Sequence, residues 1–111
     1  MISSLGIAHS DVTRDTLVST LEEIALLLEL KGENPFKTRA YRKGAEIVQN
    51  FEGDIVARAA DEDLKGIKGI GDALQQKLHE LASTGTLEYY EKLKGEFPPT
   101  LFELFEVQGL G

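Results

Sequence analysis

The stretch Gly66-Ile67-Lys68-Gly69-Ile70-Gly71 constrains this chain more than any other part of it. Three glycines in six residues do not continue a helix, because each loses much backbone entropy and packs no side chain. The pattern on either side is helical. Downstream, Leu74, Leu78 and Leu81 recur on one face before Gly85. Upstream, Asp61-Glu62-Asp63 reads as the acidic start of a short helix, suited to the positive end of its dipole. Leu17, Leu21, Ile24 and Leu28 form the stripe of an amphipathic helix that stops at Lys31-Gly32. Asn34-Pro35 reads as a cap and first turn, opening a helix from about Pro35 to Asn50 with Phe36, Ala40, Ile47 and Val48 toward the core. Short helices are expected over Ile55–Ala60, Leu87–Lys94 and Thr100–Val107. No alternating strand pattern occurs, so the expected fold is all-α.

An aliphatic residue at 67, then Gly-Ile-Gly, then leucines at helical spacing is the pattern of a helix-hairpin-helix. Its glycines permit positive φ and let a phosphate approach the backbone with no Cβ in the way. The hairpin amides and the following helix N-terminus then act as donors to that phosphate and read no base. The alternative is a plain packing corner in which glycine serves close helix contact. Residues 64–71 also resemble 104–111: leucine, two variable residues, an aliphatic, a polar residue, then glycine-aliphatic-glycine. The second copy reads as the start of another hairpin, and the chain as a piece of a longer protein.

The charge distribution favours the phosphate reading over what the sum suggests. The net charge of −7 argues against a nucleic-acid partner when taken alone. The 12 lysines and arginines are not spread evenly, however: eight of them lie in two islands, between Lys31 and Lys43 and between Lys65 and Lys77. If these islands meet in space they make a positive site on an acidic body, and screening over about 8–10 Å leaves contact at the site itself intact. The chain has no cysteine, so disulfides and thiolate metal sites are excluded, and only two histidines, His9 and His79, set far apart. Apolar runs are only a few residues long and no leader segment is recognisable, so a soluble intracellular protein is expected.

Lys31-Gly32-Glu33-Asn34-Pro35-Phe36-Lys37-Thr38-Arg39-Ala40-Tyr41-Arg42 resembles the N-terminal domain of bacterial and archaeal family X DNA polymerases. So does Leu64 to Leu78, followed by Ser83-Thr84-Gly85-Thr86-Leu87-Glu88-Tyr89-Tyr90. More distantly, both are similar to the lyase domain of DNA polymerase beta. The resemblance divides the chain into an extension at 1–16, a domain over 17–95 with its helix-hairpin-helix at 61–83, and the start of a second hairpin at 96–111.

That resemblance implies a compact four-helix bundle-like domain with a helix-hairpin-helix, and binding to the 5′-phosphate side of gapped or nicked DNA. It places a 5′-phosphate contact on Lys37 and a pocket-lining role on Tyr41, with Arg39, Arg42 and Lys43 as neighbouring cations and Lys68, Gly69 and Gly71 as the hairpin grip. Lys77 matches the Schiff-base lysine of a 5′-deoxyribose-phosphate lyase; such a nucleophile must be neutral, through burial or nearby positive charge. The backbone carbonyls of Lys65, Ile67 and Ile70 are implied to hold a sodium or potassium ion, while magnesium or manganese belongs only to a polymerase part outside this sequence. Three positions depart from the polymerase beta pattern: Phe36 stands for a histidine, and Ala73 and Thr86 each stand for a lysine. His79, Tyr89 and Tyr90 are expected to be structural.

Three functions follow for comparison. The first is a DNA-binding module of a base excision repair polymerase. The second is a lyase acting through Lys77 on a deoxyribose phosphate or abasic site. The third is a non-enzymatic protein-interaction domain. The first two imply a monomer on DNA in a bacterial or archaeal cytoplasm, at the nucleoid.

Overall fold

The computed structural model describes residues 12–101. Among these residues five helices are complete, in order: α1 Arg14–Lys31, α2 Pro35–Asn50, α3 Ile55–Ala60, α4 Asp72–Thr84 and α5 Glu88–Lys94; residues 99–101 are helical as well. Among the described residues there is no strand. The second hairpin expected at 104–111, most of the helix expected over 100–107 and the first eleven residues lie outside the described part.

Helix α1 is the centre of the domain. It touches each of the other four helices. Its stripe residues Leu17, Leu21, Ile24 and Leu28 are at most 1% exposed, and Leu27 and Ala25 are sealed as well. Each large aliphatic side chain so buried contributes about 1.5–3 kcal/mol. Thr13 opens α1 through a reciprocal capping box with Thr16, and Gly32 closes it in a left-handed conformation, its N–H donating to Glu29 and Leu28 carbonyls.

Helix α2 starts where Asn34-Pro35 places it, with the Asn34 side chain accepting from the Phe36 N–H. Its buried face differs from the sequence expectation. Thr38, Tyr41, Gly44, Ala45 and Val48 face the core, whereas Phe36 is 73% exposed and Ala40 is exposed. The reason is Gly44. A side chain there would run into Leu74 of α4, so the contact is made by backbone, and an apolar-residue pattern does not register it.

The C-terminus of α2 has no base in its last turn and no glycine cap; Phe51 follows it in an extended conformation. Arg14 of α1 supplies the missing donor. Its Nη1 donates to the Val48 carbonyl at 2.9 Å, to Gln49 at 3.1 Å and to Phe51, and its Nη2 donates to Gly53 at 2.8 Å. A guanidinium thus satisfies the orphan carbonyls and the negative end of the α2 dipole from 34 to 39 residues away in sequence.

Residues 61–71 contain no helix, in contrast to the short helix expected after Asp61. Glu62 at φ 57 stops α3 from continuing, and Gly66 and Gly69 at φ 95 and 93 prevent a new helix from starting. The first helix of the hairpin is therefore α3, which packs against α4. His79 of α4 secures this pairing: its Nδ1–H donates to the Ala59 carbonyl at 3.0 Å, which leaves Nε2 facing Glu62 at 3.6 Å.

Candidate nucleic-acid interface

The hairpin is built from two consecutive tight turns. The Ile67 N–H donates to the Leu64 carbonyl at 3.1 Å, and the Ile70 N–H to the Ile67 carbonyl at 3.2 Å. Leu64 and Ile70, 1% and 4% exposed, pin the two ends into the core. Between them Lys65, Gly66, Lys68 and Gly69 stand in solvent. Gly69 lies against Ile47, so the hairpin is seated on α2 as well as on its own helices.

Gly71 is the N-cap of α4. It is extended, at φ −78 and ψ 177, and makes no side-chain cap hydrogen bond. A Cβ built on it meets nothing within 4 Å. No side chain caps the first N–H groups of this 13-residue helix, although Asp72 lies in its first turn. That uncapped end is the arrangement that receives an anion. Of the two glycines expected to grip, only Gly69 uses positive φ; Gly71 contributes space.

Side chains from three helices meet in one cluster. The Lys77 ammonium of α4 sits 4.6 Å from the ring centre of Tyr89 on α5. Tyr89 stacks on Tyr41 of α2 with centroids 6.2 Å apart and planes 6° from parallel. Burial lowers the Lys77 pKa from its ordinary value, and the positive charge of Lys37 lowers it further against the opposing pull of Glu80. Burial, with the neighbouring Tyr89 hydroxyl, pushes the Tyr41 phenol up, so it stays protonated. The structure thus brings Lys37, Tyr41 and Lys77 together.

Tyr89 belongs to this cluster too, whereas the sequence reading expects it only to pack. The available signal was the reversal at Gly85, which returns the chain toward the residues before it; the acidic setting of Glu88 and Glu91 hid it. Tyr90 does pack: its hydroxyl donates to the Glu23 carboxylate and ties α5 to α1.

The other candidate cations are placed elsewhere. Arg42 pairs with Glu29 of α1 at 2.7 Å, and Lys43 lies 4.0 Å from Glu46. The Arg39 guanidinium lies 5.5 Å from the centre of the exposed Phe36 ring. Arg39 and Arg42 line a separate open cleft of about 480 Å³ with Glu29, Glu33, Pro35 and Thr38. Lys31 is held by Glu96 at 2.7 Å, Arg58 by Asp63 and Lys94 by Glu91. Lys37, Lys65, Lys68 and Lys77 make no ion pair among the described residues. Arg39 and Lys92 are also without an ion pair among the described residues, so the hairpin and the Lys37–Lys77 cluster hold four of the cations that have no carboxylate partner.

The donors implied for a monovalent cation are three backbone carbonyls, hard oxygen ligands, next to a reversal of the chain. Two of them are already engaged, Ile67 by the Ile70 N–H and Ile70 by Gln75 Nε2 at 3.0 Å, so the set is not free to close around an ion.

Comparison with known proteins agrees with this geometry. The model of a helix-hairpin-helix domain family matches residues 13–87. Over 95 residues, 86% of its length, the chain is 35% identical to the DNA polymerase/3′-5′ exonuclease PolX of Bacillus subtilis (strain 168). It spans only 16% of that relative, in its N-terminal region. No solved structure matches the chain. With the hairpin, its seating on α2 and the matched span all in place, the chain belongs to the helix-hairpin-helix domain family, in the form found at the N-terminus of family X DNA polymerases.

Proposed function

We propose that this chain is a DNA-binding module that holds the 5′-phosphate side of a gap or nick without reading bases. The observation that carries this reading is a set of unpaired lysines on an acidic body, Lys65 and Lys68 in the hairpin before an uncapped helix N-terminus and Lys37 with Lys77 at the tyrosine cluster. The hairpin amides and Lys68 hold a backbone phosphate, and Lys37 with Lys77 receives the terminal 5′-phosphate. The parent activity we propose, by likeness to PolX, is DNA synthesis in repair, carried by parts other than this domain. A salt titration tests the contact count. For a short-gap duplex, log K should fall linearly with log salt concentration, and Lys68→Ala should reduce the slope by about one unit while weakening all sequences alike. A binding constant indifferent to salt would leave the third reading, a protein-interaction domain, in its place.

A second reading has its own observation, the lowered pKa of Lys77 beside Lys37. A neutral Lys77 amine adds to the C1′ aldehyde of a 5′-deoxyribose phosphate and loses water to form an imine. Loss of a C2′ proton then breaks the C3′–O bond and frees the strand with its 5′-phosphate. Borohydride reduction traps the imine as a stable amine. An adduct is expected with the unmodified chain and none with Lys77→Ala; an adduct that survives Lys77→Ala removes Lys77 as the nucleophile, and no adduct in either removes the lyase reading.

A further inference from the structure

Gln75 does something at the hairpin that neither the motif nor the tyrosine cluster accounts for. It lies in the first turn of α4, and its side chain reaches back rather than out: Nε2 donates to the Ile70 carbonyl at 3.0 Å. Its own backbone N–H is already satisfied by Gly71, at 2.9 Å, so the amide is not rescuing an orphan of the helix. The recipient is the last carbonyl of the hairpin, one residue before the open Gly71 cap where an anion would settle. A bare carbonyl oxygen there repels a phosphate. A donor on it withdraws that negative charge and fixes the direction of the peptide plane, which also aims the neighbouring N–H groups.

A monovalent cation bridging the hairpin carbonyls to a phosphate would do both of these jobs. We propose that in this chain the Gln75 amide does them instead, so that the hairpin is preorganised and grips phosphate without a bound sodium or potassium ion. The amide is tethered and permanently present, whereas an ion must be recruited from solution and partly dehydrated. The Ile67 carbonyl is similarly engaged, by the Ile70 N–H at 3.2 Å. This inference rests on the DNA-binding reading for its biological use, but not for its chemistry.

The test compares a 5′-phosphorylated gapped duplex in potassium, sodium and tetramethylammonium chloride at equal ionic strength. Tetramethylammonium is too bulky to reach the carbonyls. The unmodified chain should bind within about twofold in all three salts, whereas Gln75→Met, which keeps length and helix propensity but has no donor, should bind ~5–10-fold more weakly in tetramethylammonium than in potassium. Loss of binding by the unmodified chain in tetramethylammonium overturns the proposal, as does a Gln75→Met chain that is equally indifferent to the cation. Failure to bind the duplex in any salt would sink the DNA reading, and thallium-205 resonance of the free chains then decides. Saturable broadening with Gln75→Met and not with the unmodified chain upholds the proposal; any other pattern overturns it.

Discussion

Replacing Arg14 by methionine is expected to lower stability by about 3 kcal/mol and the melting temperature by roughly 12–20 °C, the largest loss from any single half-exposed side chain here. The stem of the side chain is kept, so the loss isolates the guanidinium. Four carbonyls lose a charged donor at once: Val48, Gln49, Phe51 and Gly53. A hydrogen bond to a charged group is worth about 1.5–3 kcal/mol net. Water recovers part of the exposed ones, which keeps the total well below four such bonds. Since α2 carries Lys37 and Tyr41 and seats the hairpin through Ile47, fraying its C-terminus loosens the site as well. Arg14→Lys restores the charge but only one compact donor head, and should recover about half of the loss. Circular-dichroism melts check all three chains; equal melting temperatures would contradict the capping role.

The second large effect separates two glycines that look alike in sequence. Gly69→Ala forces a Cβ onto a residue at φ 93, at a cost of about 1–2 kcal/mol, and drives it toward the Ile47 side chain, which must move aside. Both stability and phosphate binding should fall. Gly71→Ala changes little in the folded chain: the backbone is extended at φ −78, the added carbon meets nothing within 4 Å, and alanine at an N-cap costs at most about 1 kcal/mol relative to glycine. Yet that carbon occupies the approach of the phosphate. Loss of one charge-assisted contact there weakens binding about 10–100-fold. Gly71→Ala is the informative variant, because a packing corner also makes Gly69→Ala harmful but leaves Gly71→Ala without consequence for any ligand. Thermal melts and anisotropy on the same two variants read both quantities.

The elements carried by local signals were legible in the sequence. Asn34-Pro35 opens α2, Gly32 and Gly85 close α1 and α4, and the stripe from Leu17 to Leu28 marks the central helix. What was not legible depends on partners distant in sequence. The buried face of α2 was misread because Gly44 makes its contact with Leu74 by having no side chain, while exposed Phe36 supplied an apolar signal with nothing to cover it. The helix expected after Asp61 fails because Glu62, Gly66 and Gly69 take up positive φ, and an acidic run alone does not start a helix. Arg14 acts on carbonyls beyond position 47, and Tyr89 meets Lys77 and Tyr41 only once α5 has docked on α1. Cationic residues were counted correctly by island, but which of them remain unpaired depends on carboxylates from other helices. Glu29 takes Arg42 and Glu96 takes Lys31, leaving Lys37 and Lys77 for the tyrosine cluster.

In the proposed function the Lys37–Tyr41–Lys77 cluster recognises the terminal phosphate, while the hairpin holds a backbone phosphate. Fluorescence anisotropy on one short-gap duplex, made with either a 5′-phosphate or a 5′-hydroxyl at the downstream end, tests that recognition most directly. The account predicts roughly 10-fold tighter binding to the phosphate, a preference that shrinks as salt rises and disappears in Lys37→Ala. Equal affinity for the two ends, at low salt and with Lys37 in place, would contradict it.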